Sequence, residues 1–320
     1  MSELTGPVFT IFTPFDAGGE VDYASLESYI EFLANHGASN FYMMPYNGRY
    51  SQLTNDEIRR LNSFCIRCVK SDPENTVIVS DPIHGSTETK LEFANDAKRL
   101  GADYLSSIMR EKFFSVDQVV EHYSTLSQAG IGLVAHAMPF LSGYTGRSMD
   151  WPDELFAILS SVQAVVAIKE DSKDVALTRG IIKTYGERFD VVVAGRKRFL
   201  VEALQGANHS YINGVSMLNP HIAHVFWSLL GAAPERALKY VESVDDPFWE
   251  GPVAKFGWHR VNKAALESCG LMSRRERRPM PELKASEMPD VEMATQRVLD
   301  AHRQWIEGAG NSYEGQCPKC

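Results

Sequence analysis

One junction recurs along this chain and limits what it can fold into: a helix, then a glycine, then a short apolar strand. Asp22 caps a helix over residues 23–36, with Leu26, Tyr29, Ile30 and Leu33 on one face. Gly37 ends that helix and residues 40–44 follow as a buried strand. The same order returns at Gly101 before 104–108, at Gly130 before 133–137, and at Gly206 before 209–212. Glycine takes the left-handed conformation that closes a helix without a side-chain penalty. Four such αβ junctions call for a parallel sheet of βα units, because parallel neighbours need a crossover long enough to hold a helix.

Four more runs rich in Val and Ile, at 8–12, 76–80, 165–169 and 191–194, bring the strands to eight. Between them, helices are predicted over 54–69, 87–100, 116–129, 152–159, 175–185, 199–205 and 220–230. Thr54 and Glu57 form a capping box at the start of the first of these. Eight alternating units predict an α/β fold, a closed (β/α)8 TIM barrel over residues 1–230. No glycine-rich dinucleotide fingerprint follows any strand to favour an open sheet. From residue 231 the pattern is helical only: 234–244, 253–269 and 288–306, with an Arg- and Pro-rich link at 273–283. This predicts a C-terminal three-helix extension over 231–308 and a flexible tail over 309–320.

The formal charge of −9 argues against nucleic acid and against an anionic membrane as partners. No apolar run approaches the roughly 20 residues that span a bilayer. The opening MSELTGPVFTIFTPFD lacks a basic-then-apolar leader, so a cytoplasmic protein is expected. Cys65-x-x-Cys68 and Cys317-x-x-Cys320 have the formal shape of a four-thiolate zinc site. The first pair falls inside an outer helix, where packing accounts for it, and the second lies on a remote tail, so no metal is expected.

In such barrels chemistry sits at the carboxyl ends of the strands. The strand VVAIK closes on Lys169, followed by Glu170 and Asp171. A lysine ending an apolar strand points into the barrel mouth, where partial desolvation frees its amine as a nucleophile toward carbonyl carbon. Position alone leaves a second reading open, a lysine reaching solvent and pairing with Glu170.

The stretches GPVFTIFTPFDAGGEVD, SQLTNDE, IKEDS and ERRPMPEL, in this order, resemble the dihydrodipicolinate synthase / N-acetylneuraminate lyase family. The resemblance spans essentially the whole chain apart from the tail. It implies that Lys169 forms an imine with a 2-keto acid or a related carbonyl compound, with no metal or organic cofactor. It also implies a homotetramer, or a homodimer of that kind. MPFLSG after the fifth strand resembles the lyase branch more than the synthase branch.

The departures are equally informative. Where the family carries Gly-Thr-Thr-Gly-Glu, this chain has Pro45-Tyr46-Asn47-Gly48-Arg49. Asn47, with backbone N–H groups beside Gly48, is then the candidate carboxylate grip, flanked by Tyr46 and Arg49. Alignment on Pro139 puts His136 where the family has its proton-shuttling tyrosine, and imidazole moves protons near neutral pH. A buried, merely hydrogen-bonded His136 is the competing reading. The tyrosine that some members contribute across a subunit boundary is replaced by Arg110 and Glu111. Arg49, Arg110, Arg147 and Arg196 all fall at predicted strand ends or soon after; convergence of two or more would suit an extra carboxylate or phosphate on the substrate. Asn213 follows the eighth strand as a further candidate contact, and Asp81 and His84 follow the third.

These changes argue against the standard synthase reaction and for a lysine-imine lyase of aldolase, dehydratase or hydratase-aldolase type. The alternative is a degenerate member that binds a metabolite without turnover. A pyridoxal-phosphate enzyme is disfavoured, because no phosphate-gripping glycine cluster follows the seventh strand.

Overall fold

The computed structural model describes residues 4–109, 115–137, 151, 153–204 and 209–308. Eight parallel strands close into a barrel in chain order: β1 (Pro7–Thr10), β2 (Asn40–Tyr42), β3 (Thr76–Ser80), β4 (Tyr104–Ser107), β5 (Gly132–Ala137), β6 (Val165–Glu170), β7 (Asp190–Val193) and β8 (Ser210–Ile212). Pairing of β1 with β8 completes the ring. This is the (β/α)8 barrel that the recurring junction predicts. Three of the predicted glycine stops show the conformation that explains them, with φ of 93° at Gly37, 89° at Gly101 and 66° at Gly130. Gly206 lies outside the described residues.

The chain divides into two compact units, Met1–Ile11 with Ser39–Ile212 and Phe12–Ala38 with Asn213–Cys320. The first holds all eight strands and the helices α2 (Asn55–Val69), α3 (Thr87–Leu100), α4 (Val116–Leu126), α5 (Asp153–Leu159), α6 (Val175–Tyr185) and α7 (Lys197–Leu204). Thr54 and Glu57 make the predicted reciprocal cap of α2, with Thr54 N–H on Glu57 Oε2 at 2.9 Å. Inside the barrel Val8, Tyr42, Ile78, Val134, Ala167 and Val192 form one apolar cluster. Strands buried on both faces read as near-continuous apolar runs, which is why VVAI and TVIV are legible in the sequence.

The β5–β6 ladder carries one irregularity that matters for the site. Leu133 pairs with Val165, but Val134 pairs with Ala167, so Val166 is an extra residue in β6. Beyond it the ladder is regular, and His136 stands directly opposite Lys169.

The second unit holds α1 (Tyr23–Asn35), α8 (His221–Ala232), α9 (Pro234–Val244), α10 (Asp246–Phe248), a π-turn at Trp249–Val253, α11 (Ala254–Phe256), α12 (Trp258–Ser268) and α13 (Met288–Gly308). The single helix predicted over 253–269 is a correction. Gly257 takes φ 88°, ψ 143°, so the chain breaks there and restarts at Trp258. Trp249 and Trp258 stack face to face across the break, 4.3 Å between centroids. Among the described residues no helix is long and apolar enough to cross a membrane.

Candidate active site

The alternation of β6 decides where its lysine points. Ala167 belongs to the barrel core, so Lys169, two residues on, faces the same interior at the carboxyl end of the strand. Its side chain is enclosed, with the residue 1 % exposed. The amine Nζ lies 2.9 Å from His136 Nε2 and donates to Asp171 Oδ2, also at 2.9 Å. His136 Nε2 and Asp171 Oδ2 are 4.0 Å apart, so the three side chains converge on one nitrogen.

The reading of Lys169 as a solvent-reaching side chain paired with Glu170 is overturned. The strand's period sends Glu170 to the opposite face, where Oε2 accepts from Thr178 Oγ1 of α6 at 2.6 Å and Oε1 accepts from Ser172 N–H. Partial desolvation was also too weak an expectation, because the amine is fully buried. Its partner is Asp171, which sequence reasoning left without a role. Lys173 is the other residue missed: it sits in the left-handed region at φ 63° and donates to Asp171 Oδ1 and to Ala194 O. A side chain costs about 1–2 kcal/mol in that conformation. The available signal was the spacing K-x-D-x-K, which at strand period puts residues 169, 171 and 173 on one side.

The electrostatics follow from burial and from these neighbours. Burial lowers the proton affinity of Lys169 and the Lys173 cation lowers it further, against the opposing pull of Asp171. Burial, with the charge of Lys169, pushes His136 down to about 3, so its imidazole is neutral. Burial alone would raise Asp171, but the cations Lys169 and Lys173 outweigh it and hold the carboxyl well below the usual range. A neutral imidazole that accepts at Nε2 carries its hydrogen on Nδ1. His136 Nδ1 is buried and has no hydrogen-bond partner among the described residues.

The loop after β2 lies at the same mouth, with the Tyr46 ring edge-on to His136 at 6.5 Å between centroids. Asn47 is 1 % exposed; its Nδ2 donates to Thr10 Oγ1 at 2.7 Å, while Oδ1 has no partner among the described residues. Gly48 has no room for a side chain, since a Cβ there would stand 2.7 Å from Met43 Sδ and 2.9 Å from Met44 O. The expected grip by N–H groups beside Gly48 is corrected: Gly48 N–H bonds Met44 O and Arg49 N–H bonds Tyr46 O, so both close the turn. Arg49 is buried, in the left-handed region at φ 60°, and its Nη1 also donates to Tyr46 O.

Arg196 stands half-buried between β7 and α7. Asn213 belongs to the second unit, where it is buried ahead of the 3-10 turn Gly214–Met217. Arg110 and Arg147 lie outside the described residues, as do MPFLSG, Cys317 and Cys320. Asp81 is fully buried, pushed up to about 6 by that burial despite Lys90 at 3.3 Å. His84 lines a separate cavity of about 360 Å³ with Ser86, Thr87, Lys90 and His122. Cys65 is buried in α2, where burial pushes its thiol up.

A closed barrel with a lysine at the inner end of its sixth strand is the framework of the lysine-imine aldolases and lyases. The chain belongs to the dihydrodipicolinate synthetase family, whose family model matches residues 3–298. It is 22% identical over 226 residues to a 4-hydroxy-tetrahydrodipicolinate synthase of Lachnoclostridium phytofermentans, covering 70% of this chain and 74% of that one. The fold is similar to a dihydrodipicolinate synthase from Agrobacterium tumefaciens, with TM-score 0.79, 21% identity, and 92% and 98% of the two chains covered. It is equally similar to N-acetylneuraminate lyase from Fusobacterium nucleatum, with TM-score 0.81, 16% identity, and 92% and 99% covered.

Proposed function

We propose that this protein is a lysine-imine lyase of aldolase, dehydratase or hydratase-aldolase type, acting on a 2-keto acid or a close carbonyl relative. The observation that carries this reading is the Lys169 nitrogen, buried at the strand end with His136 Nε2 and Asp171 Oδ2 each 2.9 Å away. Lys169, once neutral, attacks the carbonyl carbon; the C–N bond forms, and the carbonyl oxygen leaves as water after taking up two protons. The resulting iminium draws electrons from the adjacent carbon, so the bond there breaks or forms at low cost, and the imine is the only electron sink the reaction needs. His136 holds and returns protons at that carbon. Its Nδ1–H gains an acceptor when a substrate oxygen arrives. Asn47 contacts the substrate, with Tyr46 and Arg49 shaping the mouth. Replacement of the family's threonines by Tyr46 and Asn47, and of its tyrosine by His136, supports a substrate other than that of the standard synthase. Family membership supports a homotetramer or homodimer.

The test is borohydride trapping with pyruvate and a panel of 2-keto acids and aldehydes, read by intact mass. A covalent adduct on the wild type that vanishes in Lys169→Ala is expected. A wild type that stays unmodified across the panel, or an adduct that survives the substitution, ends this reading.

One observation favours a second reading, binding without turnover. The amine is fully enclosed and already holds two hydrogen bonds, which a carbonyl compound has to displace. An adduct that forms while no compound in the panel is consumed or cleaved selects that reading.

A further inference from the structure

We infer that Asp171 and Lys173 form an opposed positioning pair, which aims the Lys169 amine at His136 and sets the pH at which that amine becomes nucleophilic. This deepens the reading of Lys169 as the imine-forming residue and rests on it.

The geometry assigns one carboxylate oxygen of Asp171 to each lysine. Oδ2 takes Lys169 and Oδ1 takes Lys173. Lys173 is itself fixed, because its left-handed backbone turns the side chain back over Asp171 and its Nζ also bonds Ala194 O at the end of β7. A lysine that only covered a surface carboxylate would need neither the unusual backbone nor the second anchor.

Among the described residues, the titratable and charged groups around the amine are few. His136 faces it from β5. Tyr42, whose hydroxyl bonds Ser106 Oγ at 2.6 Å, stands in the barrel interior within the field of Asp171. Glu170 lies on the outer face, bonded to Thr178. Asp171 and Lys173 complete the set among the described residues, where His136 and Asp171 hydrogen-bond Nζ.

The two members act in opposite senses. A carboxylate at 2.9 Å favours the ammonium, whereas a second cation on the same carboxylate cancels part of that pull. Together they hold the nitrogen in place without locking its proton on. When the imine forms, R–NH2 + O=C + H+ gives R–NH+=C + H2O. The nitrogen then keeps a single N–H, and Asp171 Oδ2 accepts it.

The test uses cyanate, a small reagent that carbamylates neutral amines, with Lys169 followed by peptide mass spectrometry across pH. This readout needs no substrate. Asp171→Asn is expected to move the Lys169 midpoint to lower pH by about one unit, and Lys173→Met to move it the other way by about half a unit. Asp171→Glu restores most of the wild-type midpoint. A merely structural role would lower the extent of labelling and leave the midpoints in place.

Coincident midpoints, shifts in the same direction, or a Lys169 that never reacts at any pH overturn the inference. Should Asp171→Asn fail to fold, the alkaline shift of Lys173→Met decides alone. Opposed shifts in a protein that gives no borohydride adduct uphold the pair and end the imine reading. An adduct with unmoved midpoints does the reverse.

Discussion

Two of the buried lysines, Lys169 in the first compact unit and Lys263 in the second, are held in different ways. Lys263 in the second unit is wholly enclosed, and its Nζ donates to the backbone carbonyls Thr13 O, at 3.1 Å, and Arg275 O. Glu276 Oε2 stands at 3.7 Å and the Phe15 ring at 4.8 Å. Carbonyl oxygens neither accept nor release protons near neutral pH, so they serve this nitrogen as fixed anchors. Among the described residues Lys169 hydrogen-bonds side chains alone, His136 and Asp171, and both titrate. The difference separates a lysine anchored on backbone carbonyls from one anchored on side chains that themselves titrate.

That contrast breaks most readily through stability. Lys263→Met takes the cation away from two backbone carbonyls and from the buried Glu276 carboxylate, and is expected to cost about 3 kcal/mol in urea unfolding. Lys169→Met leaves Asp171 still bound by Lys173, and is expected to cost about 1 kcal/mol or less. Equal losses would remove the distinction.

Acid titration sharpens it. His136 is pushed down to about 3 from an ordinary value of 6.5, so the unfolded chain binds the extra proton between those limits. Stability from this group is therefore full above pH 6.5 and falls as pH drops toward 3. His136→Phe cannot take up that proton. Its unfolding free energy should fall less steeply between pH 6 and 4, by up to about 1.4 kcal/mol per pH unit. An unchanged slope would mean that His136 is not held neutral. The smallest effect concerns Glu170: Thr178→Val is expected to cost about 1 kcal/mol and to leave the cyanate midpoint of Lys169 unmoved. A shifted midpoint would make Glu170 part of the amine's environment after all.

Much of the frame was legible because barrel strands are buried on both faces and helix stops carry glycine. VVAIK announced both a strand and the lysine at the inner end of it. What stayed hidden depends on geometry past the last paired residue. Asp171 and Lys173 are neighbours of Lys169 in any reading, but only the left-handed turn at Lys173 shows that the three side chains meet. The break at Gly257 escaped because the apolar spacing of 253–269 continues through it. The expected anion grip at Gly48 failed for a local reason, since a tight turn consumes its own N–H groups and a sequence does not display how.

The unpaired Val166 in the sixth strand bears on how Lys169 and His136 come to face each other. One residue looped out of the ladder is taken up locally, and the rungs after it keep step with the neighbouring strand. The lysine is therefore indexed to the fifth strand at the mouth and not to the floor of the barrel, so a residue gained or lost at the bulge is absorbed there before it reaches the amine.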